Sequence, residues 1–214
     1  MFSGDIIMKR SILIFLFIII PVFSCFAGSF YSNIVIISQN SENLQSIISG
    51  LGITAYYIIK NGFCLLFEQK IDEQDTNYGQ NLSKLISKEI DGIVLYTTNH
   101  DSDILLIYMY KNGSEIFSYD SNPGYFEGKE MEPKIFGIEN ILNEFIEINK
   151  VDLTNVLENE ELFSDNIHLK FLKLLKFSGE LINFCFFGYT IIEYDKDNIE
   201  KIEQKYNINI QKSQ

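Results

Sequence analysis

The side chains best suited to chemistry are gathered in one stretch, Asn99 to Phe126, which reads NHDSDILLIYMYKNGSEIFSYDSNPGYF. His100 stands beside Asp101 and Asp103, and imidazole with carboxylate is a ligand set that suits zinc or manganese. A metal-dependent enzyme centred on this turn would need further ligands, Asp120 being one candidate. Adjacent residues of a tight turn point in different directions, however, and Asp and Asn there ordinarily accept local backbone bonds. The other histidine, His168, stands in the lysine-bearing segment HLKFLKLLKF. Tyr119, Asp120, Ser121 and Asn122 are candidates to bind a small polar ligand at a sheet edge, and Tyr125 is a further candidate binding residue. Asp, Ser and Asn after a strand are equally common as turn formers.

Other chemistries find less support. The chain has no Gly-x-Ser-x-Gly elbow and no phosphate-binding glycine loop. Cys64 and Cys185 lie in apolar runs, GFCLLFE and NFCFFGY, which predicts two buried thiols, a disulfide between them being the alternative. No catalytic residue and no cofactor is assigned. A net charge of −12 without a Lys/Arg cluster sets nucleic acid aside, because phosphate binding needs a cationic surface.

The elements that must position these residues follow from periodicity. NIVIIS (33–38) reads as a buried strand, and Leu44, Ile47, Ile48 and Leu51 fall on one face of a short helix capped by Ser41. TAYYIIK and FCLLFE flank Asn61-Gly62, the signature of a type I′ hairpin. Tyr78, Leu82, Leu85, Ile86 and Ile90 then recur at helical spacing, with Gly79 inside that helix at a cost of about 1 kcal/mol. GIVLYTT, ILLIYMY and EIFSYD follow as strands, the last two joined by Asn112-Gly113. The expected class is α+β: a ferredoxin-like βαββαβ core extended by a β-meander, so that the sheet core runs 33–126. Residues 127–137 continue a proline- and glycine-broken loop. The part from 138 to 214 is expected to be mainly helical and packed on the core, with one further strand at FCFFGYTIIEY and a last helix from Asn198 to Tyr206. Lys170, Lys173 and Lys176 are read as the wet side of a core helix, a membrane-surface helix being the alternative.

The N-terminus predicts export. Lys9 and Arg10 precede an apolar run from Ile12 to Phe23, the anatomy of a signal peptide over residues 1–24, with Met1 or Met8 as the start. The run is short of the roughly 20 residues that span a bilayer. Val22-Phe23-Ser24-Cys25 resembles a relaxed lipobox, so Cys25 is expected to carry the lipid and residues 25–32 to form a short linker. Cleavage before Gly28, or a retained signal anchor, are the alternatives. Loss of Lys9, Arg10 and Asp5 leaves the mature chain more acidic still.

These features together resemble a family of bacterial proteins of unknown function. The resembling parts are a strand closing on Glu68, a helix, an apolar strand ending in NHDSD, and a tyrosine-bearing hairpin running into SYDSNPGYF. A late helix followed by FFGYTII completes the pattern, which spans roughly residues 53 to 194. Relatives of that pattern favour a third acidic residue where Ser102 stands, and most lack a signal segment. The resemblance implies that the two loops occur together, and it carries over no catalytic role. The expected function is therefore a cell-envelope lipoprotein, held to the membrane by its lipid, whose domain is a non-enzymatic interaction module for a basic protein partner. The metal-dependent enzyme and an immunity-like inhibitor of a toxin are the alternatives.

Overall fold

The computed structural model describes residues 29–38, 44–158, 163–186, 200, 203, 204 and 209–213. The signal segment, Cys25, the Ser41 cap and most of the expected helix 198–206 lie outside them. Strands β1 (Tyr31–Ser38), β2 (Ala55–Lys60), β3 (Phe63–Glu68), β4 (Gly92–His100), β5 (Ile104–Lys111), β6 (Ser114–Asp120), β7 (Lys134–Phe136) and β8 (Ile210–Lys212) form one sheet. Their order is β7-β6-β5-β4-β1-β3-β2-β8, and every neighbouring pair is antiparallel. Both Asn-Gly pairs make the expected hairpins, with Asn61 and Asn112 each at φ 52°.

Alternation along the strands feeds two separate cores. Ile34, Ile36, Leu66 and Val94 face helices α1 (Leu44–Gly50), α2 (Gln69–Asp72) and α3 (Thr76–Glu89), meeting Ile48, Ile71 and Ile86. Their strand neighbours Val35, Leu65, Leu95 and Ile107 face the other way. There they meet α4 (Ile138–Glu144), α5 (Lys150–Leu157), α6 (Ser164–Leu174) and α7 (Gly179–Phe184) through residues such as Leu153 and Phe171. The chain is α+β, with the sheet sandwiched between an early and a late helical layer.

Gly79 earns its place in α3. A Cβ there would sit 2.4 Å from Cζ of the Tyr96 ring, so only glycine lets the helix lie on that side chain. Cys64 and Cys185 are both free, buried, and assigned to opposite faces of the sheet. No bridge can therefore join them without moving the backbone.

Three expectations need correction. The 127–137 loop contains β7, which pairs with the end of β6, and it is preceded by a 3-10 turn at Tyr125–Glu127. The linker gives way to strand by Tyr31. Of the expected strand FCFFGYTIIEY only Phe184, Cys185 and Phe186 are described, and these do not open a strand: Phe184 ends α7, which Ser178 caps by accepting from the Leu181 N–H, while residues 187–194 lie outside the described residues. The late strand among the described residues is β8, which lies beyond the expected last helix. It pairs with β2, and Ser213 beyond it accepts from the Ala55 N–H at 2.8 Å.

Candidate functional site

Strands β4 and β5 are joined by Asp101-Ser102-Asp103, with φ of 57° at Asp101 and 58° at Ser102. The Asp103 N–H donates to the His100 carbonyl at 3.1 Å. Two consecutive left-handed residues make a primed hairpin turn, a geometry that normally recruits Asn-Gly. Here neither residue is glycine, and each left-handed residue costs about 1–2 kcal/mol. Something else must hold the turn.

A buried knot of polar side chains does so. Ser102 is 4% exposed, and its hydroxyl donates to Asp165 Oδ2 at 2.7 Å while accepting from the Ser29 N–H at 2.7 Å. Its N–H is shared between Asn99 Oδ1 and the Ser29 carbonyl, and its carbonyl accepts from the Ser164 N–H at 2.7 Å. Asn99 Nδ2 divides its hydrogens among Asp165 Oδ1, Ser164 Oγ and Tyr31 Oη. The Tyr31 hydroxyl, accepting from Asn99, donates in turn to His168 Nδ1 at 2.8 Å. His168 is 1% exposed, and burial pushes its pKa down to about 3, so it is the neutral acceptor this chain of bonds requires. Burial, reinforced by the Asp165 charge, pushes the Tyr31 hydroxyl up. Asp165 sits in the first turn of α6, where a carboxylate also suits the helix dipole.

His100 leaves this knot on the opposite face. Its Nδ1 lies 2.6 Å from Gln74 Oε1, which fixes the proton on Nδ1, and Gln74 Nε2 donates to the Asn99 carbonyl at 2.7 Å. Gln74 is itself left-handed, at φ 60°. The imidazole meets Phe30, Phe126 and Tyr125 edge-on, with ring centroids 4.9, 5.4 and 6.1 Å away. Tyr125 Oη donates to Asp103 Oδ2 at 3.1 Å, and that bond raises the pKa of the phenol. The acidic turn and the proline loop thus meet at one end of the sheet.

Of the residues singled out from sequence, His100, Asp101, Asp103 and Tyr125 lie together on that surface. Tyr119 does not. Its side chain is buried on the face covered by the late helices, where desolvation raises its pKa and its hydroxyl has no partner. Asp120 and Asn122 spend their oxygens on local structure: Asp120 accepts from the Asn122 N–H at 3.0 Å, and Asn122 from the Gly124 and Met131 N–H groups. Desolvation raises the Asp120 carboxyl, partly offset by the bond from Asn122 and the Lys134 charge. Among the described residues no three His, Cys, Asp or Glu side chains gather as a metal set. The thiols are masked, with burial pushing Cys64 up to about 12 and Cys185 higher still.

Sequence reasoning missed Tyr31, Ser102, Ser164, Asp165 and His168, and read Asn99 only as a turn residue. No spacing rule links three segments so far apart. The one available signal was Ser164-Asp165 opening a helix.

Aromatic side chains crowd the His100 side of the turn. Phe30 is 54% exposed and Phe126 76%, both against the His100 ring, while Phe163, also exposed, precedes the serine bonded to Ser102. Asp103 and Glu127 lie among them, Glu127 paired with Lys129. Phe30 and Phe126, exposed beside one anchored turn, form a contact surface held in shape before any contact is made. In comparisons with known proteins, no family model, no curated protein and no solved structure matches this chain.

Proposed function

We propose that this protein is an exported cell-envelope lipoprotein, anchored through Cys25, whose domain is a non-enzymatic interaction module. The observation that carries the reading is the left-handed turn Asp101-Ser102, held on one face by buried bonds while Phe30 and Phe126 stay exposed beside His100 on the other. Strained backbone persists only where its surroundings over-determine it, and a surface ordered in advance loses less entropy on binding. Exposed aromatic residues supply contact area, and Asp101 and Asp103 beside them suit a basic protein partner. An immunity-like inhibitor would be one instance of such a module, with a toxin's basic face as the partner. The metal-dependent alternative would rest on His100 Nε2, since Nδ1 donates to Gln74, and among the described residues no two further His, Cys, Asp or Glu side chains gather with it.

The ferredoxin-like description of the first six elements belongs to the same proposal, supported by the internal order β4-β1-β3-β2 and by α1 and α3 covering one face. Kinship with the bacterial family that shares both loops is proposed likewise, supported by their meeting through Tyr125 and Asp103.

Capture of partners from envelope extracts at low and high salt tests the module. Asp101→Asn/Asp103→Asn and Phe126→Ser are each expected to abolish a capture that high salt weakens. Capture indifferent to salt and to both variants would refute the surface. For the anchor, mass analysis of the processed N-terminus should find acyl mass on Cys25, and Cys25→Ser should shift the protein to the soluble fraction. An N-terminus at Gly28, or an intact Lys9–Phe23 segment, would refute lipidation.

A further inference from the structure

Phe30 and Tyr31 lie at the same end of the sheet as the β4–β5 turn, since Tyr31 pairs with Asn99. Four peptide units separate Cys25 from Ser29, a reach of at most about 14 Å. Whatever lipid Cys25 carries is therefore held beside the aromatic surface. The far end, marked by the Asn112-Gly113 turn, lies about 24 Å away along β5. Resting on the anchoring proposed above, we infer that the tether holds this end of the sheet toward the bilayer, and that its surface takes a cationic segment displayed at the membrane.

Two features choose the occupant. The tether confines encounters to the bilayer surface, where a partner in the same membrane has a raised effective concentration. The groups presented there decide the charge. Asp103, Glu127, Glu130 and Glu132 are exposed, with Lys129 already committed to Glu127 at 2.6 Å. Anionic headgroups are repelled by such a set, whereas a Lys or Arg side chain can pair with Asp103 and lie over the ring of Phe126.

The test uses the full processed chain, acylated on Cys25 and reconstituted in phosphatidylcholine vesicles. A dye is placed by Lys129→Cys near the aromatic surface, or by Ser114→Cys at the far end. Cys64 and Cys185, being buried, leave the labelling selective. A nitroxide headgroup lipid should quench the dye at 129 at least threefold more than the dye at 114. An acylated Arg-Gly repeat peptide in the same vesicles should then change the emission at 129 at a concentration at least tenfold below that of the same peptide without its acyl chain. Asp101→Asn/Asp103→Asn should remove that response. Equal quenching at the two positions overturns the orientation. Strong quenching at 129 with no peptide response makes the lipid itself the occupant and overturns the cationic segment. Protein that never joins the vesicles and lacks acyl mass refutes the anchoring reading, and this inference with it. Acylated protein on the vesicles with equal quenching refutes this inference alone.

Discussion

Asp165→Ala is the sharpest probe of the knot, because the bonds of Asp165 go to Asn99 and Ser102 and not to Phe30 or Phe126. The substitution removes two hydrogen bonds to a carboxylate, from Asn99 Nδ2 and from Ser102 Oγ, both at 2.7 Å. Bonds to charged groups contribute roughly 1.5–3 kcal/mol each. Asp165 is only half-buried, and water can replace part of what is lost, so the lower end applies. Loss of the carboxylate from the first turn of α6 adds a few tenths of a kcal/mol. The expected destabilisation is about 3 kcal/mol in urea unfolding, with an unchanged m-value. A second readout separates the knot from general stability. Once Ser102 is released, the strain of its left-handed backbone favours opening of the turn, so its amide should exchange faster than the amides at the centre of β4 and β5. Destabilisation under about 0.5 kcal/mol together with unaltered exchange at Ser102 would show that the turn holds itself and that the argument for a surface organised in advance is mistaken.

Gly79→Ala sets helix propensity, favouring alanine by about 1 kcal/mol, against a Cβ driven into the Tyr96 ring, where overpacking costs about 1–3 kcal/mol. Net destabilisation is expected, with recovery in Gly79→Ala/Tyr96→Leu, and a more stable single variant would contradict the contact. His168 binds a proton in the unfolded chain below pH about 6.5 but in the folded one only near pH 3, so its contribution is complete above pH 6.5 and falls as pH drops toward 3. The stability difference between wild type and His168→Gln should therefore shrink by roughly 1 kcal/mol per pH unit in that window, and a constant difference from pH 7 to 4 would exclude a buried neutral imidazole. Cys64 and Cys185 should resist alkylation in the native protein and react together on unfolding, and rapid labelling of either without unfolding would contradict their burial.

Much of this molecule was written locally. Strands alternate and helices repeat, so the six leading elements and both Asn-Gly hairpins could be read from residue spacing, because each depends on neighbours a few positions away. The meeting of the NHDSD turn with the SNPGYF loop was legible too, since one hairpin returns the chain to the end it left. What local pattern could not reveal is which polar residues are buried. Ser102 looks like any solvated turn residue until Ser29 and Asp165 are brought to it from 73 and 63 positions away. His168 reads only as a second histidine in a lysine-bearing segment, and becomes a neutral acceptor only because α6 turns it onto Tyr31. Gly79 reads as a cost to its helix, and only the ring of Tyr96 in the space beside it explains the residue. Tyr119, a candidate for a ligand at the sheet edge, is a core residue on a strand with one face toward each helical layer, and a period of two says that sides alternate and not which side is wet. Sequence determined the elements and the ends at which they meet. Only the tertiary structure decided which hydroxyls, amides and carboxylates would lose water there, because desolvation is a property of the surroundings and no single segment carries it.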